Sequence, residues 1–138
     1  MPAYRNPEKV EHIAREVVDA AVKIHKTIGP GLLESVYVRI LIRELQKRGF
    51  NVKTEVPVHV FWEGEDLGVG YRIDILVDDL VVLEVKSAEG DAKVFAKQAL
   101  TYVRLLDLPL AFVLNFSLAL MKDGIERVAN DYFGQSAQ

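Results

Sequence analysis

Residues 71–86, YRIDILVDDLVVLEVK, decide how this chain is read. Two apolar runs flank an Asp-Asp pair, the pattern of two strands joined by a tight turn. In the first run Ile73, Ile75 and Val77 share one face, and Arg72, Asp74 and Leu76 the other. In the second, Val81, Leu83 and Val85 oppose Val82, Glu84 and Lys86. Directly opposed residues of an antiparallel pair lie on the same face. If both apolar sets face one core layer, paired residue numbers must sum to an even value. A sum of 158 sets Ile75 against Leu83, Ile73 against Val85, and Asp74 against Glu84. A two-residue loop at Asp78-Asp79 would give 157 and send the carboxylates to opposite faces. The pattern therefore predicts a three-residue loop or a bulge. It places two acids with Cβ atoms ~5 Å apart, which repel unless something positive lies between them.

Working outward, Asn6-Pro7 reads as an N-cap and first-turn proline, opening a helix over 7–27. Ile13, Val17, Ala20, Ala21 and Ile24 give it one apolar face, and Gly29-Pro30-Gly31 ends it. A second helix is expected over 33–48, with Gly49 just past its end. Val52, Thr54, Val56, Val58 and Val60 alternate with polar residues as a half-buried strand, which Pro57 assigns to a sheet edge. Residues 63–66 form a turn, and strands follow over 67–77 and 80–86. A helix over 92–107, a strand over 110–116, a turn at Asp123-Gly124 and a short strand over 125–128 complete the chain. The expectation is one domain over 1–138, with its core over 7–130 and a frayed tail over 134–138. The order is α-α-β-β-β-α-β, an α/β fold whose mixed β-sheet is flanked by helices.

Function is sought where polar groups occupy core positions. The Asp74–Glu84 pair, with Lys86 pointing the same way, is the first such place. It reads either as a solvated salt-bridge cluster with Arg72 or as a divalent-cation site of hard oxygen ligands. Glu34 is the second, since it shares a helical stripe with Val38, Leu41 and Leu45. It is either a first-turn acid favoured by the helix dipole or a further acid of a metal site. Gln98 and Tyr102 are the third. They lie four apart on a helix, either as a boundary pair or converging on one target.

Asp74 followed by Glu84-Val85-Lys86 resembles the D…(D/E)xK signature of the PD-(D/E)xK nuclease superfamily, with Ile73 in place of the signature's proline. Gln98 and Tyr102 resemble the QxxxY element of its RecB-like branch. Gly31-Leu32-Leu33-Glu34-Ser35-Val36-Tyr37 matches the motif of the small bacterial GxxExxY proteins. That likeness continues through His25, Gly29, Gly70-Tyr71-Arg72, Asn115-Phe116 and Asp123-Gly124-Ile125. The resemblance implies a restriction-endonuclease-like core and hydrolysis of DNA phosphodiesters with Mg²⁺ or Mn²⁺. Asp74, Glu84 and the Val85 carbonyl would hold the metal, and Glu34 would complete the site directly or through water. Lys86 would orient the attacking water or take its proton. Gln98, Tyr102, Arg72 and Tyr37 would contact the substrate. The competing expectation is a nuclease-fold module that binds nucleic acid or protein with little turnover.

Composition narrows the remaining classes. The chain of 138 residues is 50% hydrophobic and 27% charged, which excludes a disordered chain. Its net charge of −3 argues against coating nucleic acid by bulk electrostatics. With Glu34, Asp74 and Glu84 assigned to a metal, 17 acids remain against 17 bases, and the argument narrows to metal-free binding. No cysteine is present, so disulfides, thiolate zinc sites and cysteine nucleophiles are ruled out. His12, His25 and His59 are too scattered for a zinc site, and His25 is expected near the Gly29–Gly31 turn. No P-loop occurs. No apolar run reaches the length of a membrane helix and residues 1–9 lack a signal-peptide core, so a cytoplasmic location is expected. Arg39, Arg43 and Lys47, and Lys93, Lys97 and Arg104, form two basic strips. They are ordinary solvated faces, or phosphate contacts if the nuclease reading holds. Phe61 and Trp62 are candidates for core or for a protein contact. The size is compatible with a homodimer or a protein partner.

Overall fold

The computed structural model describes residues 6–130. Helix α1 spans Pro7–Ile28, α2 Glu34–Lys47 and α3 Ala92–Leu106. Strands are β1 Val52–Trp62, β2 Glu65–Val77, β3 Val81–Lys86, β4 Leu110–Asn115 and β5 Ile125–Ala129. They form one five-stranded sheet in the order β1-β2-β3-β4-β5. Only β3 and β4 run parallel, and α3 is their crossover. The 125–128 segment joins the sheet as an edge strand antiparallel to β4.

Local chemistry sets the helix ends. Asn6 accepts the Lys9 N–H at the start of α1, Pro7 sits in the first turn, and Gly29 leaves the helix at φ 81°. Asp91 caps α3 through the Lys93 N–H. Strands β3 and β4 are buried on both faces, as a parallel pair under helices must be. Val81, Leu83, Val85, Leu110, Phe112 and Leu114 pack under α1 and α2. Val82, Ala111 and Val113 pack under Ala99, Tyr102 and Val103 of α3. Each large side chain so buried contributes roughly 1.5–3 kcal/mol.

Over its paired part the β2–β3 register is the expected one: Ile75 faces Leu83, Leu76 faces Val82 and Val77 faces Val81. The expected pairing of Ile73 with Val85 on one core layer is corrected, since Ile73 packs on the α3 side and Val85 on the α1–α2 side. Residues 78–80 make the three-residue connection, with Asp78 and Asp79 both at positive φ. Pro57 lies on β1, the sheet edge. The single alternating face expected for each hairpin strand is corrected. Val52, Ile75 and Val77 pack on the α1–α2 side, whereas Val56, Val58 and Ile73 pack on the α3 side. Both strands thus exchange faces between Thr54↔Ile75 and Val56↔Ile73, at the rung of Glu55 and Asp74. Glu55 lies there at φ 51°.

Several smaller expectations also change. The turn contracts to Glu63-Gly64, with β2 starting at Glu65. Phe61 and Trp62 are exposed, not core. His25 lies beside the Gly29–Gly31 turn as expected, accepting the Gly29 N–H at its carbonyl, and its Nε2 donates to the Leu118 carbonyl at 2.8 Å, tying α1 to the loop after β4. The expected frayed tail falls outside the described residues. Gly124, before β5, packs so closely on β4 that a Cβ there would overlap the Asn115 carbonyl. Backbone cannot yield as a side-chain tip can, so Gly124→Ala is expected to destabilise by about 1–3 kcal/mol or more, read from urea unfolding.

Candidate active site

The β2–β3 ladder ends at Ile75–Leu83, and the next rung carries the two acids. Past that point the strands are joined by side chains. The Val85 N–H donates to Asp74 Oδ2 at 2.8 Å, and the Asp74 N–H donates to Glu84 Oε1 at 3.4 Å. The Lys86 carbonyl accepts from the Phe116 N–H on the β4 side. Strand edges alternate, so Val85 turns its N–H and its carbonyl toward β2. Two carboxylates and one peptide carbonyl therefore share a small opening in the sheet.

The electrostatics are those of a site short of positive charge. Glu84 is only 6% exposed. Burial first, and the neighbouring Asp74 second, push its carboxyl up to about 8. Asp74 is also raised, chiefly by burial, against the opposing effects of the Val85 N–H and Lys86. Among the described residues, no ion pair joins Arg72 or Lys86 to either acid, so the salt-bridge cluster does not form. Lys86 Nζ instead lies 4.9 Å from the centre of the Phe95 ring, on α3. Tyr102 is buried with its hydroxyl held above its ordinary pKa by burial, then by Glu84, Tyr71 and Asp74. Its ring meets Tyr71 at 5.2 Å between centroids.

Glu34 shares the stripe of the buried face but is itself exposed at the start of α2. The core of α2 is Tyr37, Leu41 and Leu45, and the first turn projects beyond it. Glu34 is exposed yet raised in pKa, by partial burial first and Asp74 second, with Lys86 opposing. It belongs to the same electrostatic neighbourhood without closing on the pair. Among the described residues, no three His, Cys, Asp or Glu side chains are placed to hold a metal together. Ser87 anchors this end of the site by donating to the Leu32 carbonyl at 2.5 Å.

Residues 11–128 match the family described as the PD-(D/E)XK nuclease superfamily. The chain belongs to that superfamily. No curated protein and no solved structure matches it. The mixed sheet flanked by helices is the fold expected of a PD-(D/E)XK nuclease, with Asp74 and Glu84-Val85-Lys86 on its two central hairpin strands.

The residues expected to contact substrate differ in their exposure. Tyr37 is completely buried and stacks on Phe116 at 4.3 Å. Its hydroxyl donates to the Gly29 carbonyl at 2.5 Å and accepts the Leu32 N–H at 3.3 Å. It braces the glycine turn and offers nothing to a substrate. Tyr37→Phe is expected to cost about 1–2 kcal/mol of stability in urea unfolding. Arg72 and Gln98 are exposed. Gln98 sits one turn before Tyr102, and Arg72 pairs with Pro57 on the edge hairpin. Tyr71 and Phe95, which sequence reasoning did not single out, lie against Tyr102 and Lys86. Tyr71 stood beside Arg72 in the motif, with no role of its own. Phe95 read as part of the α3 core stripe.

A cation suits this donor set. Asp74 and Glu84 offer hard oxygen ligands that, among the described residues, have no ion-pair partner, and Val85 adds a carbonyl edge. Mg²⁺ commonly takes one or two carboxylates and fills its remaining positions with water and phosphate, so the absence of a third carboxylate is no obstacle.

Proposed function

We propose that this protein is a Mg²⁺- or Mn²⁺-dependent deoxyribonuclease of the PD-(D/E)XK superfamily, of the GxxExxY kind. The observation that carries the reading is the Asp74–Glu84 pair, a half-buried and a buried carboxyl side by side at the end of the β2–β3 ladder, with no ion-pair partner among the described residues. Asp74, Glu84 and the Val85 carbonyl would hold the cation, and Glu34 would act through water. When bound, the cation supplies a Lewis acid that acidifies water and offsets charge growing on the phosphate.

The remaining roles fall to this chain's own groups. Hydrolysis forms one bond from the water oxygen to phosphorus and breaks the bond to the leaving sugar oxygen; the water gives up one proton to solvent and the leaving oxygen takes one up, so none is gained or lost overall. Lys86 sits beside both acids, close enough to influence them. It orients the water and balances the extra negative charge of the transition state. Packing over Phe95 restricts its movement. Tyr102 lines the acids from α3, and Gln98 lies one turn away at the surface. These two position the phosphate backbone, with Arg72 on the hairpin. The exposed strips Arg39, Arg43, Lys47 and Lys93, Lys97 supply contacts to flanking phosphates.

The test is incubation with single-stranded and double-stranded DNA, and with RNA, in Mg²⁺, in Mn²⁺ and in chelator. Cleavage of DNA is expected with either metal and none in chelator. Tight DNA binding without turnover would instead assign a binding module. Cleavage that survives both Glu84→Ala and Lys86→Ala would exclude this site as its source.

A further inference from the structure

The rung of Glu55 and Asp74 has a property that neither strand needs for pairing. The register on both sides of it is the same, Thr54↔Ile75 and Val56↔Ile73, so no residue is inserted. Yet the two strands exchange faces there. Val52 and Ile75 lie on the α1–α2 side, and Val56, Val58 and Ile73 on the α3 side. Glu55 is the residue of β1 in the left-handed region, at φ 51°. For an L-residue with a side chain that conformation is disfavoured, and in the middle of a strand it reverses the alternation of the residues after it.

Two features of the site depend on this reversal. With Ile73 turned to the α3 side and Ile75 to the other, Asp74 cannot point squarely to either face. Its carboxylate runs along the sheet and reaches the Val85 N–H of the neighbouring strand. The rest of the hairpin is turned so that Tyr71 meets Tyr102 on α3. Regular alternation would leave Tyr71 on the face of Ile75, away from α3.

We infer that Glu55 is a positioning residue: its left-handed backbone turns the β1–β2 hairpin so that Asp74 reaches across to Val85 and Tyr71 packs on Tyr102. The role belongs to the backbone conformation, not to the carboxylate. The value of this orientation for catalysis rests on the proposed metal site, but the orientation itself can be read in the metal-free protein.

Glu55→Gly and Glu55→Ala separate the two roles. Both remove the carboxylate, and only glycine adopts the positive φ without steric cost. Amide hydrogen exchange at Val85, and ring-to-ring contacts between Tyr71 and Tyr102 by NMR, report on the hairpin in chelator. The Gly variant is expected to keep Val85 exchange within about threefold of the wild type and to retain the Tyr71–Tyr102 contact. The Ala variant is expected to exchange at Val85 roughly fivefold faster or more. Amides of β3 and β4 that bond to each other should be unchanged in both, which separates a local effect from lost folding. If either variant fails to fold, Glu55→Asn, which tolerates positive φ, and Glu55→Gln, which keeps the side chain's size, form the second pair. Asn should then behave as the wild type and Gln as the loosened form. Equal exchange in both members of a pair, whether protected or fast, overturns the inference. A Gly–Ala difference in a protein that binds no Mn²⁺ upholds it while removing the metal site.

Discussion

Glu84→Gln is expected to stabilise the metal-free protein at pH 8 while abolishing its response to Mn²⁺. In the folded chain, burial and Asp74 raise the Glu84 carboxyl from 4.5 to about 8. Between those values the folded state holds a proton that the unfolded state has released. Stability therefore falls as pH rises from about 4.5 to about 8, and levels off above. The raised carboxyl of Asp74 acts with the same sign. The loss accumulated by pH 8 is on the order of a few kcal/mol. Gln cannot ionise, so the variant lacks most of this slope and exceeds the wild type at pH 8 by a similar amount. It also removes one of two carboxylate ligands, and Mn²⁺ affinity should fall by roughly 100-fold or more. Urea unfolding in chelator at pH 5 and pH 8 checks the first part. A wild-type stability that rises between these values, or a variant with the same slope, would contradict it.

Loss of cleavage in Lys86→Ala is the second large effect. Among the described residues, Lys86 is the cation that acts on Asp74, Glu84 and Glu34 together. Removing a group that orients the nucleophile and balances transition-state charge is expected to lower turnover by roughly 100- to 10,000-fold. The substrate KM should change far less, because the flanking phosphate contacts are elsewhere. Lys86→Met keeps the stem over Phe95 and should be as inactive as Ala, which separates charge from packing. Lys86→Arg should recover little, since a planar guanidinium cannot replace a compact ammonium at one point. A KM increase with turnover intact would recast Lys86 as a binding residue.

The register of β2 with β3 was readable because parity rules out the two-residue loop at Asp78-Asp79, and the shortest connection left gives the sum of 158 that brings Asp74 level with Glu84. The helices were readable from Asn6-Pro7, Gly29 and Gly49, where one residue type fits the backbone. Glu55 illustrates what was not. Nothing about a glutamate in an alternating strand signals a left-handed backbone, so Ile73 was assigned to the face of Ile75 and Val77 and lies on the other. Tyr37 fell within a motif shared with Glu34, yet motif membership does not distinguish a brace from a contact. Its apolar stripe with Leu41 and Leu45 was the better guide. For Glu34 the stripe misled, because a helix that projects past its sheet frees its first turn from the core. Helical periodicity assigns a face and does not say where the core ends.

The most direct test of the cation site is calorimetric titration of the metal-free protein with Mn²⁺ at pH 7, in two buffers of different protonation enthalpy. Glu84 enters protonated at that pH and must ionise to act as a ligand. The account predicts saturable binding with release of about one proton per Mn²⁺, and loss of that binding in Asp74→Ala. Mn²⁺ binding that persists in Asp74→Ala, or no binding to the wild type at millimolar Mn²⁺, would contradict it.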